Sequence, residues 1–348
     1  METVHNGSNI MTQRIGFACK YMLDADVKKS KAILEAERTL NTGSTTVAWL
    51  NRQTRTVAED KLWQVVQHNL TSVRNVLAIV AKMDPRLRMM RLSSDLLPMY
   101  TEKTWGYFWQ QPDVKAYCQK EFAVIGDFAR THDIRLSFHP GQFCCIVSDK
   151  SDVVIRSIEE LEYHATMASW MGFCKSKLDF KINVHLSGKL GVDGFNAAWN
   201  KMSTELRYTL TIENDEYQAG LDDILLVGDK AGLVIDLHHN WIKTGKYLSP
   251  LDDRIHTVID SWCGQRPAFH YSQSKIEILQ HYMTSIPDIE MLLKKYSKTD
   301  LRAHSNMYNH QIINTWALSH LEWGDMMAES KSKNLASQQL FNQLEVPT

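Results

Sequence analysis

A chain of 348 residues with 44% hydrophobic and 23% charged side chains has the makeup of a soluble globular protein that can bury a large core. Lys plus Arg at 39 against Asp plus Glu at 40 gives a net charge of −1, so bulk charge does not mark a polyanion binder; nucleic acid would have to meet a local cleft with basic residues or metal ions. Cys19, Cys118, Cys144, Cys145, Cys174 and Cys263 show no CxxC spacing and no disulfide-scaffold density, and they read as buried thiols. No window reaches the roughly 18 apolar residues of a membrane helix, and the opening METVHNGSNIM lacks the grammar of a secretory signal. A cytoplasmic protein with no membrane partner is expected, with a disordered leader over 1–13, one domain over 14–336 and a C-terminal tail over 337–348.

Strand-like runs rich in apolar and branched residues occur in order at Arg14–Lys20, Arg88–Ser94, Ile134–His139, Lys181–Ser187 and Thr209–Asn214, then at Gly232–His239, Ala268–Gln273 and Asp325–Ser330. Between them lie stretches with helical apolar spacing, among them Asp60–Lys82, Val114–Arg130, Asp152–Trp170 and Glu216–Lys230. Strand alternating with helix implies parallel strands, and eight such units predict an α/β protein with a single (β/α)8 TIM-type barrel; a doubly wound sheet is the alternative. Two long insertions, Leu40–Arg55 and Ser274–Asn306, fall in βα connections, which in a barrel emerge on the face that carries active sites.

The residues that close these runs share a chemistry. Asp95 follows the second run, His139 the third, His185 the fourth and Glu213 the fifth; Asp236 and His239 end the sixth, His270 lies in the seventh and Glu329 in the eighth. In a parallel barrel these ends converge on one rim, and so many imidazoles and carboxylates exceed the needs of one tetrahedral ion. The pattern predicts two or three divalent ions sharing a carboxylate. Mixed N and O ligands suit Mn, Zn or Fe better than Mg or Ca. The other histidines of the opening segment, helices and loops, His164, His310 and His320 among them, read as surface or capping residues, and His238 as facing away from the site into packing.

In sequence order, RIGF at Arg14, RLSSDLLP at Arg91, FHPGQF at Phe138, HLSGKLG at His185, IENDE at Ile212, IDLHH at Ile235, FHYSQ at Phe269 and AESKSK at Ala328 resemble the motifs of the UV damage endonucleases, barrel enzymes of DNA repair related to endonuclease IV. The resemblance spans about residues 14 to 336. It implies a centre of two or three divalent ions, Mn2+ first and Zn2+ or Mg2+ as alternatives. Glu213 would bridge two ions, His139 would help to hold one, and Asp236, His270 and Glu329 the other. His239 and His304 would take a third, His185 would be an additional histidine of the cleft, and Asp95 stands where some relatives carry a histidine ligand. Relatives also carry a lysine two residues before the seventh-strand histidine, where this chain has Ala268.

The resemblance further implies that Phe17, in place of a tyrosine, and Gln142 with its neighbour Phe143 meet the lesion, while Lys331 and Lys333 meet backbone phosphates. The substrate would be UV-damaged double-stranded DNA, cut immediately 5′ of the photoproduct to leave 3′-hydroxyl and 5′-phosphate ends. The enzyme would act as a monomer, at the nucleoid if the source is bacterial or viral. An abasic-site endonuclease, a metal-dependent sugar isomerase on the same barrel and a damage-binding protein without catalysis are the other readings.

Overall fold

The computed structural model describes residues 12–26, 28–141 and 143–345. Eight parallel strands close a barrel in chain order: β1 (Ile15–Ala18), β2 (Met89–Arg91), β3 (Arg135–Phe138), β4 (Lys181–His185), β5 (Leu210–Glu213), β6 (Gly232–Asp236), β7 (Ala268–Tyr271) and β8 (Asp325–Ala328), with β8 pairing back onto β1. The expected TIM-type barrel is thus the observed fold, with helices between the strands. Most strands end one to three residues before the apolar run does. That shortening leaves His185, Glu213 and Asp236 at the last strand position and His139 and Glu329 one step beyond.

Three long helices, Arg55–Val80, Pro112–Thr131 and Ser151–Trp170, lie close to where helical spacing placed them and bury their apolar stripes against the strands. The helix expected over Glu216–Lys230 shrinks to Leu221–Leu225. Its first residues form a turn instead, because the Asp215 carboxylate accepts from the amides of Tyr217 (2.7 Å) and Gln218 while the Asp215 amide donates to the Ala219 carbonyl at 2.7 Å. The sixth run also ends early. Asp236 caps the helix Leu237–Thr244, which Gly245 terminates at φ +73°, so His239 sits in a helical turn and not on a strand.

The tail expected from 337 is corrected by the helix Lys333–Asn342, whose Ser337, Leu340 and Phe341 are buried. The leader expected over 1–13 falls mostly outside the described residues. Among the described residues no helix is long and apolar enough to cross a membrane.

The barrel interior is polar along much of its length. At the N-terminal end Asp325 is fully buried and collects Arg135 Nη1 at 2.6 Å, Arg266 Nε at 2.9 Å and the Arg14 amide at 2.9 Å. Above this floor come Lys181 and Asn183 from β4, and above them the histidines and carboxylates of the rim. The apolar core lies outside the strands, between sheet and helices. The seventh insertion folds back over the rim: Ser274 bridges His304, the Ser305 amide donates to Gln273, and the Lys331 amide donates to Ser305 at 3.0 Å.

Candidate metal centre

Glu213 closes β5 with its side chain inside the barrel and almost wholly buried. Its Oε2 receives Asn183 Nδ2 and lies 3.2 Å from His139 Nε2 and 3.8 Å from His185 Nε2. Its Oε1 faces His270 Nδ1 at 3.0 Å and His239 Nδ1 at 3.9 Å. Two groups of ligand atoms fall within 4.8 Å of one another: His139, His185 and Glu213 form one, and Glu213, Asp236 and His270 the other. Glu213 is common to both, as a bridging carboxylate must be.

The buried polar atoms of this rim are incompletely paired. Asp236 Oδ1 accepts from the His239 amide at 2.7 Å, while Oδ2 and His185 Nδ1 are buried without a hydrogen-bond partner. An unpaired buried carboxylate oxygen is costly, and burial, together with the Glu213 and Glu329 charges, pushes the Asp236 carboxyl up to about 8. Burial opposes charge on His239, yet Asp236, Glu213, Glu216 and Glu329 push it up to about 9. Burial brings His270 down to about 4, holding it neutral as a ligand must be, and lowers His139 as well. Burial would raise Glu213 and Glu329, but His270, His185 and His139 around Glu213, and Arg91 and His270 around Glu329, hold both well below the usual carboxylate range. Buried carboxylates, neutral imidazoles and orphaned acceptors facing one another fit divalent cations.

The other expected positions divide. Glu329 places Oε1 3.3 Å from His270 Nδ1 and is gripped by Arg91. His304 turns Nδ1 to the Glu329 carbonyl at 2.9 Å and sits behind the carboxylates; among the described residues neither it nor His239 enters the two compact groups. His238, next to His239, points to the Leu301 carbonyl at 3.1 Å, ties down the insertion and leaves the site to its neighbour. Asp95 is a correction. It is exposed, stands near Glu160 and Tyr163, whose pKa values its charge helps to raise, and lies outside both groups.

Phe17 is the second correction. Gly16 faces into the barrel, where an added Cβ would lie 2.6 Å from Met89 Cγ, so Phe17 faces the helix layer. It is 1% exposed, edge-on to Tyr21 at 5.9 Å, and packs as core without access to a DNA base. Gln142 lies outside the described residues. Phe143 is 85% exposed on the turn that follows His139. Lys331 is exposed just past β8, whereas Lys333, at φ +51°, is mostly sequestered and burial lowers its pKa.

Four further residues of the site lie outside the strand-end set of imidazoles and carboxylates. Arg91 holds Glu329, and Asn183 holds Glu213 while its Oδ1 accepts from Thr211 Oγ1 at 2.8 Å. Glu216, buried in the turn after β5, sets Oε2 3.7 Å from His239 Nε2. Lys181, 2% exposed, reaches up the barrel to place Nζ 2.7 Å from His270 Nε2, and burial brings its pKa down to about 7. An amine therefore does meet the seventh-strand histidine, supplied by β4 in place of the position held by Ala268. The only signal in the sequence was the i, i+2, i+4 alternation of Lys181, Asn183 and His185.

The UV-endonuclease UvdE family model matches residues 13–347. A UV DNA damage endonuclease of Bacillus velezensis is 25% identical over 347 residues, covering 96% of this chain and 94% of its own. One of Bacillus cereus strain B4264 is 25% identical over 307 residues, with 85% and 86% covered. The crystal structure of SacUVDE superposes with a TM-score of 0.71 at 21% identity, covering 96% of this chain and 98% of that one, a likeness of fold. With a match from end to end of the barrel and the shared carboxylate at its centre, the chain belongs to the UV-endonuclease UvdE family.

Proposed function

We propose that this chain is a metal-dependent endonuclease of UV-damaged double-stranded DNA that hydrolyses the phosphodiester immediately 5′ of the photoproduct, leaving 3′-hydroxyl and 5′-phosphate ends. The observation that carries this reading is the sharing of Glu213 by two buried His and carboxylate groups, on the active-site face of a barrel of the UvdE family. His139, His185 and Glu213 would hold one ion, and Glu213, Asp236 and His270, with Glu329 alongside, a second. Bound divalent ions supply Lewis-acid stabilisation of phosphate charge and acidify water. Mn2+ is the first candidate.

The protein side chains orient this chemistry. Asn183 fixes Oε2 of Glu213 and Arg91 fixes Glu329, so the carboxylates keep their positions as substrate enters. Phe143, exposed one turn beyond His139, offers a stacking surface at the rim. A base pair at a photodimer is already poorly stacked, which lowers the cost of opening it by part of a few kcal/mol and favours the damaged step. Lys331, exposed beside the last rim carboxylate, suits a backbone phosphate.

The test is nicking of UV-irradiated supercoiled plasmid with Mn2+, beside matched duplexes that carry one cyclobutane dimer or one abasic analogue. The wild type is expected to nick the irradiated plasmid and the dimer duplex, with a single incision 5′ of the dimer, and to stop on chelation. Glu213→Gln is expected to fold and to lose nicking by at least 100-fold. Cleavage confined to the abasic duplex would replace this reading by the abasic one. Undiminished nicking by Glu213→Gln would remove the metal centre from it.

A further inference from the structure

The cavity above the ligand groups holds about 170 Å³ and has two walls. One is formed by His139, Pro140, Gly141 and Cys144; the other is Glu216 and Tyr217 after β5, joined by Arg302 from the seventh insertion. Among the described residues lining it, Arg302 is the only lysine or arginine, although the cavity also holds the carboxylates of Asp215 and Glu216.

Arg302 is delivered by a fixed element. It ends the helix Lys298–Arg302, which opens on a reciprocal cap between Ser297 and Asp300, and whose Leu301 carbonyl accepts from Ser274 Oγ at 2.6 Å and faces His238 Nε2 at 3.1 Å. The guanidinium gives Nη1 to Glu216 Oε1 at 2.7 Å and lies over the Tyr217 ring at 5.5 Å, with the side chain 46% exposed. The second oxygen of Glu216 is 3.7 Å from His239 Nε2, so one buried carboxylate ties Arg302 to the rim. A guanidinium carries five N–H donors in one plane; with one accepted by Glu216, the others remain for a planar or tetrahedral oxyanion.

Resting on the function proposed above, we propose that Arg302 is a phosphate-binding residue for the DNA strand that enters this cavity, pre-oriented by Glu216 and Tyr217 to take non-bridging oxygens of a backbone phosphate beside the metal groups. Such a contact positions the strand without reading bases. The bonds that tie the Leu301 carbonyl to Ser274 and His238, with the one from Arg302 to Glu216, set where the guanidinium stands.

The test is equilibrium binding of a fluorescent duplex carrying one cyclobutane dimer between 50 and 200 mM salt, with Mn2+ present. Glu213→Gln serves as the parent because it is expected to hold no ion and not to cut, so that the comparison reads the Arg302 contact apart from the metal groups. Adding Arg302→Gln is expected to weaken binding about tenfold and to flatten the slope of log K against log salt by about 0.9, the share of one phosphate contact, equally for damaged and undamaged duplex. Arg302→Lys keeps the slope and regains part of the affinity. An unchanged slope in Arg302→Gln overturns the role, and so do equal losses of affinity in the Gln and Lys variants, which would place Arg302 in packing against Tyr217. If the wild type neither binds nor nicks damaged DNA, the function and this role fall together; a wild type that does both while Arg302→Gln keeps its slope overturns the role alone.

Discussion

Lys181 enters the barrel at the first position of β4 and ends 2.7 Å from His270, the histidine whose other nitrogen faces Glu213 and Glu329. Groups of this kind orient a ligand and typically change metal affinity 10- to 100-fold when removed. Lys181→Met keeps the unbranched shape of the side chain, one atom shorter, and deletes the hydrogen bond, and it is expected to raise the Kd for Mn2+ about tenfold or more in a calorimetric titration. Affinity equal to wild type would mean that His270 is held by its strand alone. Sequence reasoning located Glu213, His139, His185, Asp236 and His270 because a parallel barrel gathers strand ends wherever they lie in the chain. It passed over Lys181 and Arg91, since a charged residue within or at the start of a strand reads as solvent-facing until register shows which side of the sheet it occupies. The resemblance alone assigned Phe17 to the lesion, and register decides against it: one step of alternation separates Gly16, inside, from Phe17, in the outer core.

Element boundaries explain what else could not be read. Periodicity carried the sixth run to His239, but the Asp236 side chain accepts from the His239 amide and starts a helix there, a decision of one hydrogen bond that apolar pattern does not encode. Likewise the Asp215 turn replaced a predicted helical start and thereby brought Glu216 to the site. Two helical elements also bury histidines away from the metal groups. His164, in Ser151–Trp170, packs edge-on to Phe138 at 5.2 Å, and His320, after the helix Gln311–Leu318, packs on Phe269 and Trp316; burial brings each down to about 4. Their folded pKa values lie below the roughly 6.5 of an unfolded histidine, so between those limits the unfolded chain binds more protons and stability falls as pH falls. Each should add about 1.4 kcal/mol per pH unit to that slope between about pH 6 and 4.5. Denaturant melts of the metal-free protein are expected to lose stability steeply from pH 6.5 to 4.5, and His320→Gln is expected to flatten the slope; a slope unchanged by that substitution would contradict the assignment.

At the scale of the molecule the closed barrel has a charged floor and a ligand-lined rim. Asp325 alone joins β1, β3 and the segment before β7 through Arg14, Arg135 and Arg266, with no exposed surface. Removing one partner of a buried ion network strands the others, at a cost of about 3–5 kcal/mol. Asp325→Asn is therefore expected to lower the melting temperature by several degrees without changing Mn2+ affinity, because the rim is assembled at the opposite end of the strands. A melting temperature within a degree of wild type would show that the floor is dispensable. The barrel was legible from eight alternating units, whereas this network was not, since its members are scattered from residue 14 to 325 and acquire a common centre only on closure.

The rim itself rests on one carboxylate shared by two groups. The direct measurement is the number of Mn2+ ions bound per chain, by calorimetric titration with elemental analysis, for the wild type, Glu213→Gln and His185→Asn. The wild type is expected to bind at least two ions, His185→Asn to weaken one site about 10- to 100-fold while sparing the other, and Glu213→Gln to lose both together. Loss of a single ion in Glu213→Gln, with the second bound as in the wild type, would contradict a shared bridge.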